Sequence, residues 1–148
     1  MNAHTEAATE IAEVAPGLVE ALDAPGRYGL MGSRCPDCDA WAFPAVDRCR
    51  QCQGHPVPMR VGTAGSLYTY TVVRTRAPFG LPEPYAVGYV DLDESGLRVF
   101  GLIDPAVAEE LEVGQHMEIG LRPLGVDGEG RPCLRPLFCP VRKGGAHD

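Results

Sequence analysis

Positive charge is scarce in this chain. Of 148 residues, 13 are lysine or arginine against 20 aspartate and glutamate, the formal charge is −7, and Lys143 is the sole lysine. A nucleic-acid binder usually neutralises phosphates with a basic face, so this balance counts against DNA or RNA as a ligand. Long apolar runs are missing as well. No stretch approaches the roughly 20 apolar residues that cross a bilayer, and the N-terminus has neither the basic start nor the apolar centre of a secretion signal. Both absences point away from membranes and towards the cytoplasm. Catalytic patterns are equally sparse. His4, His116 and His147 have no serine or cysteine nucleophile beside them in an elbow motif, the glycines punctuate turns and form no phosphate loop, and Glu109-Glu110 reads as a solvated face. The chain alone does not read as a catalyst.

What is present is a pattern of cysteines. Cys35-Pro36-Asp37-Cys38 and Cys49-Arg50-Gln51-Cys52 are two Cys-x-x-Cys knuckles separated by ten residues. Each knuckle turns tightly enough to aim two sulfurs at one point, so the pair predicts one tetrahedral metal site. Zn²⁺ suits four thiolates best, although iron also accepts them. Four protein ligands fill the coordination sphere, which makes the metal structural. Two disulfides would need an exported protein, and a thioredoxin-type site needs one pair at a helix start, not two flanked by prolines. His55, close behind the fourth cysteine, reads as an exposed loop residue. Cys133 and Cys139 are an even number of positions apart in a strand-like segment, and so share a face as small buried hydrophobes.

Hydrophobic patterning divides the rest. Residues 1–15 are Ala/Glu/Thr-rich and predict a flexible tail. Residues 16–59 predict a short helix and the ribbon: Pro16 opens the helix, Leu18, Val19 and Leu22 give its apolar face, and Pro25-Gly26 ends it. Trp41 and Phe43 lie at alternate positions between the knuckles, placed to cover the metal, with Phe43-Pro44 as an alternative ligand or partner wall. Gly54, Pro56, Pro58 and Gly62 suggest a linker. Residues 60–142 predict a barrel, with strands at 66–73, 85–92, 97–103, 117–121 and 132–141. Asp104-Pro105 caps a helical turn between the third and fourth. Pro132, Pro136 and Pro140 make the last strand interrupted or an edge. Tyr68 and Tyr70 are expected on one face, with Tyr89 able to join them. Residues 143–148 predict a flexible C-terminus. The fold class is mainly β: an N-terminal short helix, a zinc ribbon, then a five-stranded barrel of the OB type.

The succession Gly32-Ser33-Arg34-Cys35, Phe43-Pro44, Cys49 to Cys52, Gly65-Ser66-Leu67-Tyr68-Thr69-Tyr70-Thr71-Val72-Val73, Pro84-Tyr85-Ala86-Val87 and Val90-Asp91-Leu92-Asp93 resembles the DUF35 family, from roughly Leu18 to Val141. One departure is Ala45-Val46-Asp47-Arg48, where relatives often carry proline and arginine. The resemblance implies a rubredoxin-like ribbon followed by an OB-fold. It also implies an accessory role beside a thiolase-like or hydratase-like catalytic subunit in a hetero-oligomer, with a coenzyme A thioester shared with that partner. An extended anionic ligand needs guanidinium groups and an apolar slot. Arg34 and Arg48 on the ribbon and Arg74 and Arg76 after the first barrel strand supply the charges. Arg74 to Tyr85 is the most unusual loop, apolar and proline-rich at Pro78, Phe79, Leu81, Pro82 and Pro84. The candidate contact set is therefore Arg34, Phe43, Pro44, Arg48, Arg74, Arg76, Phe79 and Tyr85. Two alternatives are a nucleic-acid-binding ribbon/OB module and a free-standing acyl-CoA carrier or hydrolase, the latter lacking an evident nucleophile.

Overall fold

The computed structural model describes residues 11–141; residues 1–10 of the expected tail and the expected flexible C-terminus, 143–148, lie outside the described residues. Within them the chain is β1 Val19–Ala21, β2 Tyr28–Arg34, β3 Trp41–Ala42, β4 Val57–Gly62, β5 Ala64–Val73, β6 Tyr85–Leu92, β7 Arg98–Ile103, β8 His116–Val126 and β9 Pro132–Pro140. Single 3-10 turns cover Pro78–Gly80 and Pro105–Val107.

The five long C-terminal strands close a barrel. Antiparallel pairings join β8 to β5, β5 to β6 and β6 to β7; β7 meets β9 in parallel at Ile103↔Phe138, and β9 returns antiparallel along β8. Period-two patterning drives the closure. Along β6, Ala86, Gly88, Val90 and Leu92 point inwards, while Tyr89 points out. They meet Leu67, Val99, Ile103, Met117 and Phe138 in one core. Gly88 is required there because a Cβ would strike the Thr69 carbonyl. In that region β5 bulges between Leu67 and Thr69. The bulge also separates the two tyrosines expected on one face: Tyr68 is exposed, whereas Tyr70 is half-buried against the core and donates its hydroxyl to the Leu111 carbonyl at 2.9 Å. The Asp104 cap is present, its carboxylate accepting from the Ala106 amide at 3.0 Å.

Strand β9 is continuous despite its prolines. Leu134 and Phe138 direct their backbone groups away from β8, towards Ala12, Val14 and Asp104. Pro132, Pro136 and Pro140 share that parity, so their missing N–H groups fall on the sparsely paired edge and leave the β8 ladder intact.

Three expectations for the N-terminal half need correcting. The helix over 16–24 is absent. Gly17 (φ 84) and Gly26 (φ 77) adopt left-handed conformations at two Pro-Gly turns, and between them Val19–Ala21 pairs with β2. Residues 12–14, expected in the tail, are bonded to Leu134 of β9, with Val14 N to Leu134 O at 2.8 Å. The expected linker is β4, paired with β2 from Leu30↔Gly62 to Arg34↔Val57 and running through the boundary drawn between residues 59 and 60. Strand β2 thus carries β1, β3 and β4, and touches the barrel through Tyr28↔Ile119.

Candidate metal centre

The two knuckles are built alike. Cys35 N donates to Ala40 O at 2.8 Å and Asp39 N to Cys35 O at 2.7 Å; five residues of spacing recur as Cys49 N to Gly54 O and Gln53 N to Cys49 O, both at 3.0 Å. Each turn closes on a left-handed residue, Asp39 (φ 64) or Gln53 (φ 66). This doubled turn brings the sulfurs of Cys35, Cys38, Cys49 and Cys52 within 4.8 Å of one another, with Cys35···Cys52 and Cys38···Cys49 each at 3.5 Å. Cys35 and Cys49 are buried and Cys38 and Cys52 exposed, so the centre lies at the surface with a sheltered inner side.

The charges explain what such a cluster needs. The Cys49 thiol falls to about 6 because the Cys52 and Gln51 backbone amides point at its sulfur. Cys52 rises to about 12: the Gly54 amide pulls it down, but the Cys35 thiol, desolvation and the other two sulfurs outweigh that. Adjacent thiols resist ionising together unless a cation offsets their charge. A soft tetrahedral donor set of this size fits zinc. Gly54 packs closely on the centre: a Cβ there would stand 2.7 Å from Asp37 Oδ2 and 3.2 and 3.3 Å from the Cys52 and Cys35 sulfurs.

Around the centre, Arg34 pairs with Asp39 at 3.2 Å and lies 5.0 Å from the Trp41 ring centroid. Buried Ser33 accepts from the Val46 amide at 3.3 Å and pins the inter-knuckle loop. Trp41 and Phe43 pack against the barrel core, and together with Pro44, Arg50 and Leu97 they also line a cleft of about 540 Å³. Arg48 is exposed beside the second knuckle, and His55 is exposed and outside the sulfur cluster.

The remaining candidates form a second group. Arg74 is engaged by Glu109 through two bonds of 2.8 Å, Arg76 and Phe79 are exposed, and Tyr85 is half-buried at the start of β6. Among the described residues no hydrogen bond or ion pair joins this group to Arg34, Phe43, Pro44 or Arg48, so the eight residues make two surfaces. Cys133 is buried as expected; Cys139 is half-buried, its thiol raised by desolvation, with Arg122 at 3.0 Å from the sulfur. Ser33, Gly54, Asp39 and Gln53 escaped sequence reasoning. The only signal was the repeat of each turn one and two residues beyond its second cysteine.

A four-thiol ribbon sharing one strand with a closed OB barrel defines a class of small two-module proteins. Residues 22–57 match the family described as "ChsH2, rubredoxin-like zinc ribbon domain", and residues 59–122 match "ChsH2, C-terminal OB-fold domain". With the sulfur geometry, the ribbon match supports a structural zinc. A "DUF35 domain-containing scaffold protein" of Methanocaldococcus jannaschii is 32% identical over 107 residues, 70% of this chain and 74% of that protein. The "Benzoylsuccinyl-CoA thiolase subunit BbsA" of Thauera aromatica is 34% identical over 109 residues, 71% of this chain and 72% of that protein. The solved "Ltp2-ChsH2(DUF35) aldolase" matches in fold with a TM-score of 0.61 at 24% identity, covering 76% of this chain and 84% of that one. The chain belongs to the DUF35 family. Among the described residues no helix is long and apolar enough to cross a membrane.

Proposed function

We propose that this chain is a non-catalytic accessory subunit of a thiolase-type acyl-CoA enzyme, and that Cys35, Cys38, Cys49 and Cys52 hold one structural zinc. The likeness to a thiolase subunit carries the reading. The donor set agrees with it, because four thiolates leave zinc no open position for substrate. In this reading the acyl-CoA thioester is shared with a thiolase-like or hydratase-like partner in a hetero-oligomer, and that partner performs the chemistry. Thiolates kept for metal suit the reducing cytoplasm.

The test is to tag the chain in its native host, identify what co-purifies by mass spectrometry, and assay the eluate for acyl-CoA cleavage or condensation. A thiolase-like or hydratase-like chain, with activity lost on removing the small subunit, is the expected outcome. Cys38→Ser should lose zinc and partner together, because metal binding is coupled to folding. A mutant keeping its metal and full partner activity would contradict the proposal.

A nucleic-acid-binding module is the second reading, favoured by one observation. Tyr89 and Phe100 are exposed on the outer face of β6 and β7, with ring centroids 5.2 Å apart, where OB-folds stack single strands. The nearby Arg98 is engaged by Asp91 at 2.6 Å, which removes a phosphate-binding charge from that face. Salt-sensitive retention of single-stranded oligonucleotides would support this reading.

A further inference from the structure

The most unusual exposed residue of the molecule is Phe79. Its side chain is 51% exposed at the tip of the β5–β6 loop, and its backbone sits at φ 55, ψ 28. That left-handed conformation is unfavourable for any residue with a Cβ, and it belongs more naturally to glycine or asparagine. The other exposed rings have company. Tyr89 and Phe100 lean on each other, and Tyr68 is covered by the Arg98 guanidinium 3.4 Å from its centroid. Phe79 has the Arg135 guanidinium over its ring at 5.6 Å, a looser contact than either of these, and no aromatic partner among the described residues.

The backbone that carries this ring is held in place. Arg74 anchors its first end to Glu109. Across the loop the Ala77 amide donates to Glu83 Oε2 at 2.6 Å, and the Leu81 amide donates to the Pro78 carbonyl at 3.1 Å. Beneath the tip lies Gly125 of β8, where a Cβ would come within 2.5 Å of the Phe79 carbonyl oxygen and 3.1 Å of Leu81 Cδ2. Pro78, Pro82 and Pro84 restrict the backbone further. A strained backbone, fixed from both ends and seated on a glycine, displays one large apolar side chain to solvent. Strain of this kind persists where the surrounding structure over-determines it, and such places cluster at functional sites. Rigid aromatic anchors are what concentrate binding energy at protein interfaces, because little freedom is lost on docking.

We propose that the β5–β6 loop is a preformed plug, with Phe79 the anchor that seats in an apolar socket of the catalytic partner. This deepens the accessory-subunit reading and rests on it. The socket's chemistry follows from the loop. Its wall must be apolar to take the ring, and its rim must carry carboxylate to meet Arg76, which is exposed and forms no ion pair among the described residues, Arg74 being already engaged by Glu109. A docked Phe79 would lose its water contact and be ringed by the prolines, which exclude solvent around it.

The test uses the thiolase-like or hydratase-like chain recovered by the tagged wild-type protein, purified and titrated calorimetrically against wild type, Phe79→Gly, Phe79→Asn and Arg76→Glu. Glycine and asparagine both accept the left-handed backbone, so these variants should keep one zinc and the wild-type melting temperature. Their affinity for the partner should fall about 30-fold or more. Arg76→Glu should bind more weakly, and added salt should strengthen its binding where it weakens that of wild type, because the pair becomes repulsive. If wild type recovers no such chain, the accessory reading fails and the plug with it. If wild type binds and both Phe79 variants bind within about threefold of it, the accessory reading stands and the plug is overturned.

Discussion

At the scale of single residues, Gly54 governs the metal centre without being a ligand. A methyl group on its Cα would press on Asp37 and on two sulfurs, at 2.7, 3.2 and 3.3 Å. Asp37 is on the surface and can swing aside, but the sulfurs are fixed by their knuckles. Gly54→Ala should therefore hold zinc about 10- to 100-fold more weakly than wild type in competition with a chromogenic chelator, the size usual for residues that support metal ligands. The four cysteines themselves were legible in the sequence, because a Cys-x-x-Cys pair encodes its own turn. Gly54 and Ser33 were not. Their roles depend on atoms that are distant in sequence: the Cys35 sulfur for Gly54, and the Val46 amide for Ser33.

At the scale of elements, β7 is the weakest member of the barrel's closure, since it meets β9 at one register position, Ile103↔Phe138. Ile103 is fully buried. Ile103→Ala should cost about 2–5 kcal/mol, read as a lower urea midpoint with an unchanged slope. A normal midpoint would mean that the β7–β9 junction adds little to the barrel. The barrel strands were readable because alternation along β6 and β7 records which face is buried. The segment over 16–24 misled because Leu18, Val19 and Leu22 fit a helical face as well as they fit a short strand. The two Pro-Gly pairs decide the matter: each glycine is left-handed, and the Leu22 amide bonds the Arg27 carbonyl at 2.9 Å across the second turn. The prolines near β4 suggested a linker for a related reason. Pro58 costs a ladder N–H, yet its strand still pairs with β2.

At the scale of the whole molecule, the −7 charge is managed by arginine–carboxylate pairs spread around the barrel. The Arg98 guanidinium holds the Asp91 carboxyl below its ordinary 3.8, Arg74 holds Glu109 below 4.5, and the Arg131 and Glu129 amides hold Asp127 below 3.8. Each folded-state value lies below the unfolded one. The stabilisation is therefore complete above about pH 5 and is lost as pH falls through 4 towards the folded values. Thermal melts followed by circular dichroism should hold level from pH 7 to 5 and then drop, with a smaller drop in high salt because the pairs are exposed. A flat profile down to pH 3 would show that these pairs add nothing. The division of the aromatics has another consequence. Trp41, the sole tryptophan, belongs to the ribbon, while Tyr68, Tyr70, Tyr85 and Tyr89 belong to barrel strands. The protein thus carries an optical label for each module. Indole fluorescence excited at the red edge reports the ribbon and its seat on the barrel core, and phenol emission reports mainly the barrel, so loss of the ribbon's seat and melting of the barrel can be followed without adding a dye.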